Sequence, residues 1–189
     1  MTRALRMLAV VSAFVACATA GAAKPAKPAK PTKPIKPASS VKTYAVIEMK
    51  KGGKIVAELF TKQSPLTAGN FIKLAKKGFY NGLTFHRVEP GQLIQGGDPL
   101  GNGTGGPGYT IKLEKSATQL KHDVGVLSMA RATDPDSAGS QFFILMMPRH
   151  DLDGSYAVFG KVVSGMDVVR RVQRGDVMKS VKIVTGTKP

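Results

Sequence analysis

Phe85-His86-Arg87-Val88, then Leu93-Ile94-Gln95-Gly96-Gly97-Asp98-Pro99, and further along Gln141-Phe142-Phe143 are the stretches on which the reading of this chain turns. Each is short, apolar at alternate or successive positions, and bounded by Gly, Pro or Asp, as strands joined by tight turns are. One arginine stands among apolar neighbours. A guanidinium on a strand, beside an apolar floor, can hold a planar ligand by its ring and its polar edge together. The pattern points to a peptide site.

Working outward, similar segments occur at 84–88, 93–95, 124–129, 142–146 and 157–162. Before them, the β-rich runs 43–49 and 54–60 flank Lys50-Lys51-Gly52-Gly53, which reads as a hairpin turn. Ser64 and Pro65 supply a cap and a first-turn proline, Phe71, Ile72 and Leu74 the apolar positions, and Gly78 a stop, so a helix is expected between them. A second helix is expected over 166–173, capped by Ser164 and followed by Gly175, with a last strand at 181–184. Closely spaced strands with few helices predict a barrel. At 189 residues and 42% hydrophobic content, one domain with appendages is the natural division.

The appendages are N-terminal. Residues 1–23 read as an export signal: Arg3 and Arg6, an apolar run from 7 to 16, and the small residues Ala18-Thr19-Ala20 as a cleavage site. The run is too short to remain as a spanning helix. Residues 24–42 repeat Lys-Pro every third position up to Pro37, a polyproline spacer with its lysines on one edge. That edge has a second reading, as a contact for anionic lipid or polymer. The globular domain is assigned to 43–185. Removing the eight basic residues before it leaves 20 Lys and Arg against 12 Asp and Glu, so the domain's net charge is about +8 rather than the chain's +16. Cys17, the only cysteine, excludes an intrachain disulfide. Phe14-Val15-Ala16-Cys17 is similar to the lipobox of bacterial lipoproteins, with Phe14 in place of the usual leucine; Cys17 is either a lipidated first residue or part of a discarded leader. The expected location is exported: periplasmic, anchored to the envelope, or secreted.

Several chemistries lose their footing. Gly101-Asn102-Gly103-Thr104-Gly105-Gly106 has GxGxxG spacing, but Pro107-Gly108 follows and no helix opens there, so nucleotide binding is rejected and the glycines are read as backbone running close to a peptide. Asp134-Pro135-Asp136 lacks the later ligands of a calcium loop and reads as a turn. His86, His122 and His150 are too scattered for a zinc spacing, and no serine sits in a nucleophile elbow. No metal, no other cofactor and no specific nucleic acid are expected.

The remaining residues carry a resemblance. FHRV at 85–88, QGGDP at 95–99, GTGGPGY at 103–109, GVLSMARA at 125–132, SAGSQFFI at 137–144, and LDG with VFGKVV within 152–163 resemble, in order, the motifs of the cyclophilins, peptidyl-prolyl cis-trans isomerases. The resemblance implies a mainly β fold, a closed eight-stranded antiparallel barrel capped by two α-helices. It implies that Arg87 is the catalytic arginine and Phe143 the pocket phenylalanine, with Gln95 and Gln141 in contact with substrate. His86, Gln92, Leu93, Ala130, Arg131, Leu152 and Tyr156 fall at other site-lining positions, Arg131 through its backbone. Two residues depart from the family pattern: Gln92 stands where a pocket phenylalanine is usual, and Asp151 where many members have tryptophan. The first makes the socket more polar, and the second puts cyclosporin sensitivity in question.

The implied partners are proline-containing polypeptides, the implied state a monomer. The implied function is isomerisation of X-Pro bonds in exported or envelope proteins. A proline-peptide binding module or chaperone with little turnover is the competing reading, and a basic tail that binds anionic polymer a third.

Overall fold

The structure, a computed structural model, describes residues 41–187 and Pro189; the signal segment with Cys17 and the Lys-Pro repeat lie outside the described residues. β1 (Lys42–Met49) and β2 (Lys54–Leu59) form the expected hairpin, closed by Met49 N donating to Gly53 O at 3.0 Å. Their alternation places Ala45, Ile47 and Met49 opposite Ala57 and Ile55 on one buried face.

α1 (Pro65–Lys76) starts where the Ser64-Pro65 pair predicts, by a different device. Ser64 is fully buried and its hydroxyl donates to Val158 O, so it caps nothing. The free amides of the first turn, Leu66 N and Thr67 N, donate instead to the two oxygens of Glu114 at 2.9 and 2.8 Å. A carboxylate brought from outside the helix satisfies the orphan donors and opposes the positive end of the helix dipole.

β3 (Arg87–Glu89), β4 (Leu93–Gly96), the four-residue helix α2 (Lys115–Thr118), β5 (Val126–Met129), β6 (Phe142–Leu145), β7 (Val158–Ser164), α3 (Met166–Arg171) and β8 (Met178–Gly186) complete the order. Short 3₁₀ turns at Pro135–Ser137 and His150–Leu152 lie among them, the first at the Asp134-Pro135-Asp136 turn. α3 is shorter than the expected 166–173. Its N-cap is Gly165 rather than Ser164: φ is +87°, and a Cβ there would lie 2.1 Å from Lys54 O, which only glycine avoids.

The eight strands pair antiparallel in the order β3-β4-β6-β5-β7-β2-β1-β8. The expectation of a closed barrel with two helices is corrected on both counts. The sheet is an open half-barrel and the described residues form three helices. β3 is only three residues long, and turns near 80 and 174 interrupt the extended backbone that would meet β8. The two margins meet there at an isolated bridge, Thr84 to Val177, flanked by backbone hydrogen bonds such as Phe85 N to Asp176 O at 2.9 Å and Met178 N to Leu83 O at 2.8 Å, without extending the ladder.

The pleat of the central strands separates two apolar layers. Ile94, Leu127, Met129, Phe142 and Ile144 face inward with Phe71, Tyr80, Phe85 and Phe159 in the main core. Phe71 stacks on Tyr80 at 4.8 Å and meets the edge of Phe142 at 5.3 Å. Truncating an aromatic in such a layer costs about 3–5 kcal/mol. The alternate residues Leu93, Val126, Phe143, Leu145 and Val158 face outward, joined by Phe60, Leu120, Ala130, Leu152 and Tyr156. This second layer is the floor of the site.

Candidate functional site

Register aligns the site across three strands: Arg87 on β3 pairs with Gln95 on β4, which pairs with Phe143 on β6. Residues directly opposite one another share a face, so all three project outward. A relay of hydrogen bonds holds them. Arg87 Nη1 donates to Gln95 Oε1 at 3.1 Å, and Gln95 Nε2 donates to Gln141 Oε1 at 3.0 Å. Gln141 Nε2 donates in turn to Gly103 O and Gly105 O at 3.0 and 2.9 Å. On its other side Arg87 gives Nε and Nη2 to Glu89 Oε1. Three of the five N–H groups are thus engaged and the side chain stays about half exposed, which leaves one hydrogen on each terminal nitrogen unengaged among the described residues.

A pocket of about 240 Å³ opens between Arg87, Leu93, Gln95, Ala130, Arg131, Phe143, Arg149, Leu152 and Tyr156. Its base is apolar: Phe143 and Tyr156 meet edge to face at 6.0 Å. Beneath it, His122 stacks on Phe143, ring centroids 6.3 Å apart, and is itself fully buried. Its Nδ1 pairs with Asp153 Oδ1 at 2.9 Å and its Nε2 lies 3.0 Å from Ser128 Oγ. Burial opposes ionisation of Asp153, but hydrogen bonds from the His122 ring, the His122 amide and Lys121 outweigh it and hold the carboxyl far below the usual range.

A larger hollow of about 830 Å³ lies alongside, walled by 103–110, Ala130, Arg131 and Gln141. The glycine-rich segment is a loop from which no helix opens directly, as read from the sequence, α2 beginning only at Lys115. Asp98 pins it, its Oδ1 accepting from Leu100 N at 2.8 Å and its Oδ2 from Asn102 N at 2.9 Å and from Gly103 N. Gly97 leads into it at φ +86°, where a Cβ would strike Ser140 O at 2.4 Å. The carbonyls that hold Gln141 are therefore fixed by Asp98.

Of the residues singled out from the sequence, Arg87, Leu93, Gln95, Ala130, Arg131, Phe143, Leu152 and Tyr156 converge on the smaller pocket, and Gln141 lines the hollow beside it. His86 and Gln92 lie elsewhere. His86 is buried and borders a separate recess with Arg87, Asn102 and Arg174; burial, aided by Arg174 and Arg87, lowers its pKa against the pull of Asp98. Gln92 is exposed in the turn between β3 and β4, its amide on Glu89 O at 2.9 Å, outside the residues that line either space. Glu89 and Arg149 were not singled out. The i,i+2 spacing of Arg87 and Glu89 on a strand was a readable signal for the first. Arg149 had none, since the 146–152 loop must fold back before it reaches the rim.

Comparison with known proteins agrees with this fold. Residues 44–188 match the model of the family described as cyclophilin type peptidyl-prolyl cis-trans isomerase/CLD. Peptidyl-prolyl cis-trans isomerase B of Bacillus subtilis is 52% identical over 135 residues, covering 71% of this chain and 94% of that one. A peptidyl-prolyl cis-trans isomerase of Helicobacter pylori is 49% identical over 140 residues, covering 73% of this chain and 85% of that one. The crystal structure of a cyclophilin type isomerase of Cryptosporidium parvum, solved in the presence of the dipeptide Ala-Pro, superposes with a TM-score of 0.65 at 33% identity, covering 77% of this chain and 99% of that one.

Proposed function

This chain belongs to the cyclophilin-type peptidyl-prolyl cis-trans isomerases, and from that membership we propose that Arg87 lowers the barrier by holding the twisted X-Pro amide while the Phe143 pocket holds the proline ring. The observation that carries this reading is the row Arg87–Gln95–Phe143, which sets a guanidinium with two N–H groups unengaged among the described residues at the lip of a pocket with an apolar base.

An X-Pro amide isomerises over a barrier of ~18–20 kcal/mol because conjugation is lost as the bond twists. The proline nitrogen then pyramidalises and its lone pair becomes an acceptor. A permanently charged, planar donor binds that nitrogen better in the twisted state than in either planar one, which is differential binding of the transition state. Lowering the barrier by about 7 kcal/mol gives roughly 10⁵-fold acceleration. No covalent intermediate is needed. Gln95 and Glu89 fix the plane of the guanidinium so that little reorganisation remains at the moment of twisting.

The substrates are proline-containing segments of exported proteins, and the protein works outside the cytoplasm as a monomer. What supports export is the Arg3 to Ala20 leader pattern followed by the Lys-Pro spacer. Cys17, if retained and acylated, would tether it to the envelope.

A protease-coupled isomerisation assay on Ala-Pro peptides tests the enzyme reading. Wild type should accelerate turnover well above background, and Arg87→Ala should lose about 100-fold or more in kcat/KM while remaining folded. Folded wild type without acceleration would refute it in favour of a peptide-binding module. Fatty-acid labelling, with Cys17→Ala as the control, decides the tether; unlabelled wild type would exclude it.

A further inference from the structure

We propose that Arg131 makes the site selective for substrates carrying an acidic residue within two positions of the proline, an inference that rests on the isomerase reading above. Three arginines rim the smaller pocket: Arg87, Arg131 and Arg149. Two have carboxylate partners. Arg87 is paired with Glu89, and Arg149 with Asp151 through Nε and Nη2 at 2.9 and 2.8 Å. Arg131 has none.

What holds Arg131 is neutral. Its Nε donates to Ser155 O at 3.0 Å and its Nη1 to Ala132 O and Thr133 O at 2.9 and 3.1 Å, while the guanidinium carbon sits 4.7 Å from the centre of the Tyr156 ring. Backbone carbonyls and an aromatic face orient the side chain without cancelling its charge. The acids of the following turn do not cancel it either: Asp134 Oδ1 accepts from Asp136 N and Asp136 Oδ1 from Leu113 N, both at 2.9 Å, and neither forms an ion pair with Arg131. No hydrogen bond leaves Nη2 among the described residues.

The position of this charge matters as much as its isolation. Arg131 lines both the proline pocket and the larger hollow beside it, so a peptide whose proline occupies the first and whose neighbouring residues enter the second passes over the guanidinium. Most of the entropy of ordering the arginine has already been lost in the free protein, which makes a carboxylate contact more favourable than at a mobile surface residue. The peptide class selected is therefore acidic next to proline, and lysine at the same place is disfavoured by like charge.

The test uses the full chain and peptides bearing Glu, Gln or Lys at each of the two positions before and the two positions after the proline. At one position, kcat/KM for Glu should exceed that for Lys by about three- to tenfold, chiefly through KM, and the ratio should shrink as salt is raised. In Arg131→Gln that ratio should fall to near one, and Arg131→Lys should retain part of it. The ratio within each variant is the readout, so a general loss of rate cannot imitate the effect. A ratio near one at every position in wild type, or a preference unchanged in Arg131→Gln, would overturn the proposal while leaving isomerisation standing. If the Gln peptides are not isomerised at all, the isomerase reading fails and takes this inference with it.

Discussion

His122 lies flat beneath Phe143, the two rings within 18° of parallel, so the apolar wall of the pocket is backed by a buried polar group whose two nitrogens are already matched. The pocket wall is thus only as firm as the Asp153–His122–Ser128 chain behind it. Replacing His122 by Ala should leave Asp153 and Ser128 short of partners and a void under Phe143. The expected loss is about 2–4 kcal/mol in urea unfolding, accompanied by a lower kcat/KM at temperatures where the variant stays folded.

Among the described residues, Gln95 is the single side chain that connects Arg87 to Gln141. Gln95→Ala should reduce kcat/KM by roughly tenfold while shifting the urea midpoint by the equivalent of under about 1 kcal/mol, because the side chain is only partly buried. An unchanged rate would mean that Glu89 alone suffices to orient the guanidinium.

Glu89 neutralises much of Arg87 and is about one-third exposed. Exposed pairs contribute ~0–1 kcal/mol, so Glu89→Gln should hardly alter stability. It should raise kcat/KM on neutral peptides by up to about threefold, since the arginine then meets the proline nitrogen with its charge less compensated. A fall in rate would show that orientation outweighs charge here.

Two titrations separate on the pH axis. His86 has a folded pKa below its unfolded value, so its contribution is complete above about pH 6.5 and is lost as pH falls through the lower folded value. Asp153 is also depressed, so its contribution is complete above about pH 4–5 and declines only in stronger acid. Urea midpoints should therefore weaken in two steps, and His86→Gln should flatten the first while leaving the second.

Much of the strand pattern could be read in advance because each strand carries its own alternation, and the β1–β2 hairpin announces itself through Gly52-Gly53. The start of α1 was legible, but its cap was not. Glu114 reaches Leu66 and Thr67 from a distant loop, and no local spacing encodes that approach. Four residues of α2 carry too little periodicity to be seen. The closure of the barrel was wrongly expected because strand count says nothing of whether the end strands meet. At the site, Arg87, Gln95 and Phe143 were found through their motifs, whereas Arg149 and the backing by His122 depend on loops folding back onto the sheet.

Glu114 offers a check far from the pocket. Glu114→Gln should cost about 1–2 kcal/mol by weakening the charged cap of α1, with kcat/KM unchanged wherever the protein is folded.

Along β6, Phe142 belongs to the interior and Phe143 to the pocket, and the same division by neighbours runs through β4 and β5. Descendants of this chain can therefore retune what they bind one substitution at a time, without disturbing the packing that keeps them folded. Insertions and deletions have no such freedom. A single residue gained or lost within β6 would exchange the two faces at once, so in these strands natural variation should consist of replacements and gaps should be confined to the loops.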